Sequence, residues 1–147
     1  MTLLAGFVTQ EGVVLCSDSQ FSSPEEAGYR AKIISGMLPG GGFLSMALCG
    51  DEDYGKDAIE TCFEVIGRQT PEKRGVSSVR EAVRRVLTKI LNEYNKSNLE
   101  PSLRPSFLVA LGLRETGTVL FTTAETSIRT VAHWQCHGYF YSAVNAF

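Results

Sequence analysis

MTLLAGFVTQEGVVLCSDSQ, residues 1–20, is the stretch from which the rest of the chain can be read. Residues 2–8 and 13–17 are short apolar runs around Gln10-Glu11-Gly12, the pattern of a β-hairpin. Leu3, Ala5 and Phe7 alternate with Leu4 and Val8, so both faces of the first strand are apolar. Such a strand is expected to be covered on both sides, as in the middle of a layered domain. A hairpin returns its second strand to the start of its first, which brings Asp18 to the same open end as Thr2. A threonine whose α-amino group is freed by removal of Met1 can act as a nucleophile with its own base.

A polar stretch, residues 19–30, leads into Ala31-Lys32-Ile33-Ile34, where Lys32 is the only lysine of the first fifty residues. Partly desolvated among these apolar neighbours, Lys32 is positioned to pair with Asp18 and to help take the threonine proton. Pro39-Gly40-Gly41-Gly42 reads as a turn and residues 43–49 as a buried strand. Gly50 closes that strand just before a helix, a natural place for an amide that receives an oxyanion. Ala58, Ile59, Cys62, Phe63 and Ile66 give residues 51–69 a helical period, with acids in the first turn. Ser78-Val79-Arg80-Glu81 has the form of a capping box, opening a second helix with Val79, Val83, Val86, Leu87, Ile90, Leu91 and Tyr94 on one face. Residues 107–113 and 119–123 predict a hairpin around Glu115-Thr116-Gly117, and residues 127–136 one further strand. Strands, two helices, then strands imply an α+β fold with helices segregated to one side.

At 147 residues the chain is expected to form a single domain, residues 1–147, that buries about 68–70% of its unfolded surface. Fourteen basic and sixteen acidic residues leave a net charge of −2, which provides no footprint for nucleic acid. No apolar run approaches the roughly 18 residues of a membrane span. The opening lacks the basic flank and long apolar core of a secretory signal. Cys16, Cys49, Cys62 and Cys136 show no CxxC spacing and read as free thiols, so a cytoplasmic location is expected.

Two further motifs invite chemistry. Gly50-Asp51-Glu52-Asp53-Tyr54-Gly55-Lys56 matches GxxxxGK between a strand and a helix. Asp57 stands where a magnesium-binding hydroxyl belongs, however, and three carboxylates crowd a loop that would have to wrap phosphate with bare amides. An acidic helix start is the better reading. In His133-Trp134-Gln135-Cys136-His137 the two histidines share one face of a strand while Cys136 points away, so the three do not converge on one ion. No metal or cofactor is expected.

The constellation of Thr2, Asp18, Lys32 and Gly50 resembles the catalytic β-type subunits of the proteasome core, within the N-terminal nucleophile hydrolase superfamily. That family begins with threonine, follows with a small residue, and continues into a DGVVLAADSR-like strand. Here the corresponding residues are Thr2, Gly6 and EGVVLCSDSQ, residues 11–20, with Thr2 and Asp18 at the family's separation. Lys32 precedes a short apolar strand as the family lysine does, after a loop two residues shorter. MALCGDED, residues 46–53, matches the family's small-residue strand end, with Gly50 as the oxyanion glycine and Cys49 as the alternative one position away. Glu11 and Gln20 depart from the usual aspartate and arginine. The family's Gly-Ser-Gly segment, and the serine and aspartate that support the terminal amine, have no counterpart after Cys136-His137-Gly138.

The resemblance implies a four-layer αββα sandwich, incomplete at its C-terminal end, and a threonine-type peptidase acting on peptide or unfolded protein. It implies catalytic roles for Thr2, Asp18, Lys32 and Gly50, no cofactor, assembly into a homo- or hetero-oligomeric ring, and an ATPase as a partner to test for. The competing reading is a catalytically silent structural subunit of the same kind of assembly. A sheet face left without its helices predicts a chain that associates rather than a compact monomer.

Overall fold

The computed structural model describes residues 3–22, 27–29, 31–114 and 117–138. Thr2, the Glu115-Thr116 turn and the aromatic residues from Tyr139 onward, all named in the sequence reading, lie outside the described residues.

Two antiparallel sheets stack face to face. The larger is built from β5 (Ile33–Met37), β6 (Phe43–Cys49), β7 (Ser106–Leu113), β8 (Gly117–Ala124) and β9 (Ser127–Thr130), in that order. The smaller has β1 (Leu3–Val8) between β2 (Val13–Ser17) and β10 (Trp134–Gly138). Between β2 and β5, β3 (Gln20–Ser22) and β4 (Ala27–Tyr29) pair as a separate two-stranded ribbon. Two helices, α1 (Glu52–Gly67) and α2 (Val76–Lys96), connect β6 to β7.

The period of two along β6 and β7 sorts the core into two interfaces. Leu44, Met46 and Leu48 join Phe107, Val109 and Leu111 beneath Ala58, Ile59, Cys62 and Ile66 of α1 and Val79, Val83, Leu87 and Ile90 of α2. The alternate residues, Ala47, Leu108, Ala110 and Leu120, face Leu4 of the smaller sheet, with Val8, Val13 and Leu15 packed beside them. β1 approaches closely because Gly6 has no side chain: a Cβ there would lie 2.9 Å from the end of Leu120. The result is a helical layer, a five-stranded sheet and a three-stranded sheet.

That architecture corrects the expected four-layer αββα sandwich. Both helices lie on one face of the larger sheet, and among the described residues no helix lies on the outer face of the smaller one. Nor do the described residues cover β1 on both sides. Leu4 is buried against the larger sheet, whereas Leu3 and Phe7 on the opposite face are 40% and 42% exposed, beside exposed Val14 and Trp134. The apolar alternation was legible, but the described residues supply no second cover.

Two smaller expectations also change. Residues 127–136 are not one strand: the chain leaves the larger sheet after Thr130 and enters the smaller at Trp134. Val131 N–H donates to Leu120 O on one side of this crossing, and Val8 N–H to His133 O on the other. In α2 the N-cap is Gly75, not Ser78. Ser78 Oγ accepts from the Gly75 N–H at 2.9 Å, while Glu81 is drawn instead to Arg84 and Arg85. The GxxxxGK segment forms an ordinary helix start, with Asp51 capping the Tyr54 N–H and Lys56 paired to Glu52. Gly55 is the point where α1 meets β6, since a Cβ there would fall 2.2 Å from Leu48.

Arg74 is the one buried arginine among the described residues, 6% exposed. Its guanidinium donates to Pro39 O and Gly41 O in the turn before β6 and to Gly67 O and Gln69 O at the end of α1. Positive charge at the C-terminal carbonyls of a helix complements its dipole. Arg74→Met leaves these acceptors buried without a donor, and is expected to cost about 2 kcal/mol of stability. A lower urea midpoint at unchanged m-value is the expected result. The exposed face of the smaller sheet is expected to bind a hydrophobic dye, with binding reduced in the Phe7→Ser/Trp134→Ser variant at an unchanged circular dichroism spectrum.

Candidate active site

The open end of the β1–β2 hairpin is held by one side chain. Leu3 and Asp18 face each other just outside the ladder, and the Asp18 N–H donates to Leu3 O at 3.0 Å. Asp18 Oδ1 in turn accepts the Leu3 N–H at 2.9 Å, so one residue satisfies both backbone groups of Leu3. The same oxygen accepts Lys32 Nζ at 2.8 Å. Lys32 arrives from the larger sheet, one residue before β5, and its side chain is only 11% exposed against 31% for Asp18. The carboxylate therefore bridges the two sheets at the first described residue of the chain.

The electrostatics follow from that placement. Burial pushes the Asp18 carboxyl up, but the hydrogen bonds from Lys32 and from the Leu3 N–H outweigh it and hold the group below its ordinary value. A carboxylate on this site stays ionised and anchors the ammonium of Lys32 in place. Lys32 is fixed at its backbone as well, because its carbonyl accepts the Leu48 N–H at 2.9 Å.

Leu48 is two residues before Gly50, so Lys32, which precedes β5, lies beside the end of β6, which Gly50 follows. Gly50 has φ +107°, and a Cβ there would lie 2.6 Å from Arg104 O and 2.7 Å from Leu103 O. Only glycine fits both the angle and the space. The next residue is tied down too, with Asp51 N–H donating to Leu103 O.

Cys49, between Leu48 and Gly50, turns toward the inter-sheet layer and comes within electrostatic range of Lys32 and Asp18. Burial pushes its thiol up, opposed by the Lys32 charge and by a hydrogen bond with the Ser106 hydroxyl. Ser106 was not singled out from sequence. Its register opposite Cys49 on β7 is the feature that brings it here, and pairing between strands separated by two helices is not visible locally.

Of the four residues expected to act together, Asp18 and Lys32 are in direct contact and Gly50 follows the strand whose Leu48 is hydrogen-bonded to Lys32. Thr2 lies outside the described residues, next to Leu3. The histidines do not contribute: His137 Nε2 is 2.7 Å from Thr122 Oγ1 between the sheets, and burial pushes its imidazole down. Cys136 lies on the opposite face of β10, in register with Ala5.

No protein-family model matches the chain, and no curated protein matches it. Solved structures do. A mutant Anbu protein from Hyphomicrobium sp. strain MC1 superposes with a TM-score of 0.75 at 12% identity, over 94% of this chain and 60% of that one. Anbu from Yersinia bercovieri, described as an ancestral β-subunit, gives 0.73 at 12% identity over 92% and 60%. The helical assembly of the Anbu complex from Pseudomonas aeruginosa gives 0.68 at 16% identity over 92% and 60%. The chain thus spans about 60% of the length of these structures. These matches correct the expected kinship with proteasome β-type subunits, for which the comparisons offer no support. What the likeness establishes is the fold: the chain is folded like the Anbu proteins over nearly all of its own length.

Proposed function

We propose that the chain is an N-terminal-threonine hydrolase that cleaves amide bonds in peptide substrates. The observation that supports this reading is the Asp18 carboxylate, which grips both backbone groups of Leu3 and holds Lys32 beside them. This holds an ammonium close to the backbone of Leu3, the residue that Thr2 precedes in sequence. After loss of Met1, the Thr2 hydroxyl attacks the substrate carbonyl and its α-amino group takes the proton. An α-amino group with an ordinary pKa of about 7.7–8.0 is partly neutral at cellular pH and can do so. Lys32 stabilises the developing alkoxide by its charge, Asp18 orients Lys32, and the Gly50 N–H receives the oxyanion. The amine leaves with the proton, and water then hydrolyses the threonyl ester. Assembly into a larger oligomer belongs to the same proposal, supported by the helical assembly described for an Anbu neighbour and by the exposed apolar face of the smaller sheet.

The test is covalent. A peptide epoxyketone, which requires both the hydroxyl and the free amine of a terminal threonine, is expected to modify the protein at Thr2 alone. Thr2→Ala is expected to abolish the adduct and Lys32→Ala to slow it by about 100-fold. Modification that persists in Thr2→Ala overturns the mechanism. An intact mass that retains Met1, with no adduct, identifies the chain as a catalytically silent scaffold.

A further inference from the structure

A second feature lies at the far end of β6 from Gly50, a strand length of roughly 20 Å away. A cavity of about 340 Å³ opens there between the turn before β6, the start of α2 and the end of β7. Three sources of positive potential converge on it. Arg74 lines the cavity as a buried guanidinium whose partners are all neutral carbonyls, and its Nε has no hydrogen-bond partner. Among the described residues no carboxylate pairs with it. A buried charge solvated only by carbonyls still carries its full unit of charge.

The N-terminus of α2 is the second source. Gly75 caps this 21-residue helix, lines the cavity and supplies no side-chain oxygen to the first-turn N–H groups. Helix starts of this kind favour anions. The third source is Arg114, exposed at the end of β7, whose guanidinium lies over Gly41: a Cβ at Gly41 would be 3.3 Å from its Nε. Gly40 and Gly41, with φ of +78° and +105°, keep the opposite wall free of side chains. Glu72 at the rim is the one acidic residue on the lining, and it works against an anion.

We propose that this cavity binds a small oxyanion, inorganic phosphate or the phosphoryl group of a small metabolite, held between Arg114 and the first turn of α2, in front of the buried charge of Arg74. The exposed guanidinium of Arg114, planar and able to reach two oxygens, suits phosphate better than a halide. Arg74, already engaged with the backbone, serves as a fixed charge behind the site, and Arg114 is the exposed arm that reaches the ligand.

Calorimetric titration of the 147-residue chain with inorganic phosphate, at ionic strength held constant with chloride, tests this. One saturable site is expected, weakened about tenfold in Arg114→Ala and tightened several-fold in Glu72→Gln. Because both replaced side chains are exposed, both variants are expected to melt like the parent. Amide chemical shifts in the parent protein give a readout independent of any variant: phosphate should move Gly41, Gly75 and Val76. Absence of saturable binding up to about 10 mM, shifts confined to other regions, or equal affinity in Arg114→Ala would each overturn the proposal.

Discussion

The ion pair between Asp18 and Lys32 is the contact on which the arrangement of this end of the molecule depends. β1 belongs to the smaller sheet and Lys32 to the approach to the larger one, so their common partner sets how the sheets meet. Without Asp18, the N–H of Leu3 would have no acceptor at the open end of the hairpin and the Lys32 ammonium would be left largely buried without this counter-charge. Half-buried pairs of this sort contribute position more dependably than they contribute stability. Position is what an N-terminal nucleophile requires, because its reacting atoms sit on the first residue of the chain, where fraying is otherwise greatest.

The layers behind the pair explain why it can be rigid. β6 and β7 are buried on both faces, against helices on one side and against β1 and β2 on the other. Lys32 and Gly50 flank β5 and β6 at the edge of this doubly covered region, and Gly50 is locked by the carbonyls of Leu103 and Arg104. At the other end of the same strands, Arg74 fastens the glycine turn to the end of α1. Both ends of β6 are thus fixed by polar contacts that the apolar pattern does not encode.

How much of this could be read in the sequence depends on the range of the interaction that decides it. The β1–β2 hairpin, the two helices and the β7–β8 hairpin follow from local periodicity, and all are present. Asp18 and Lys32 were also legible, because hairpin geometry brings one to the start of β1 and an apolar flank marks the other. The break between β9 and β10 was not: Val131-Ala132-His133 contains neither glycine nor proline, and the switch of sheets is imposed by hydrogen bonds to Leu120 and Val8. The burial of Arg74 depends on carbonyls from two separate loops, and the place of Ser106 depends on strand register across two helices. The expected outer helical layer came from family likeness together with the two apolar faces of residues 3–8, but Leu3 and Phe7 stay exposed and the described residues form only the layers given above.

The pair makes a claim about one carboxyl group. Since Asp18 titrates lower when folded, its contribution to stability is present above its ordinary pKa of about 3.9 and is lost as the pH falls through the lower folded value. Carbon-13 NMR titration of the Asp18 carboxyl, in the parent chain and in Lys32→Met, measures this directly. A midpoint below about 3.9 that moves upward when Lys32 is replaced is the predicted result. An ordinary midpoint that is the same in both proteins would show that Asp18 does not hold Lys32 at the start of β1, and would contradict both the site geometry and the mechanism built on it.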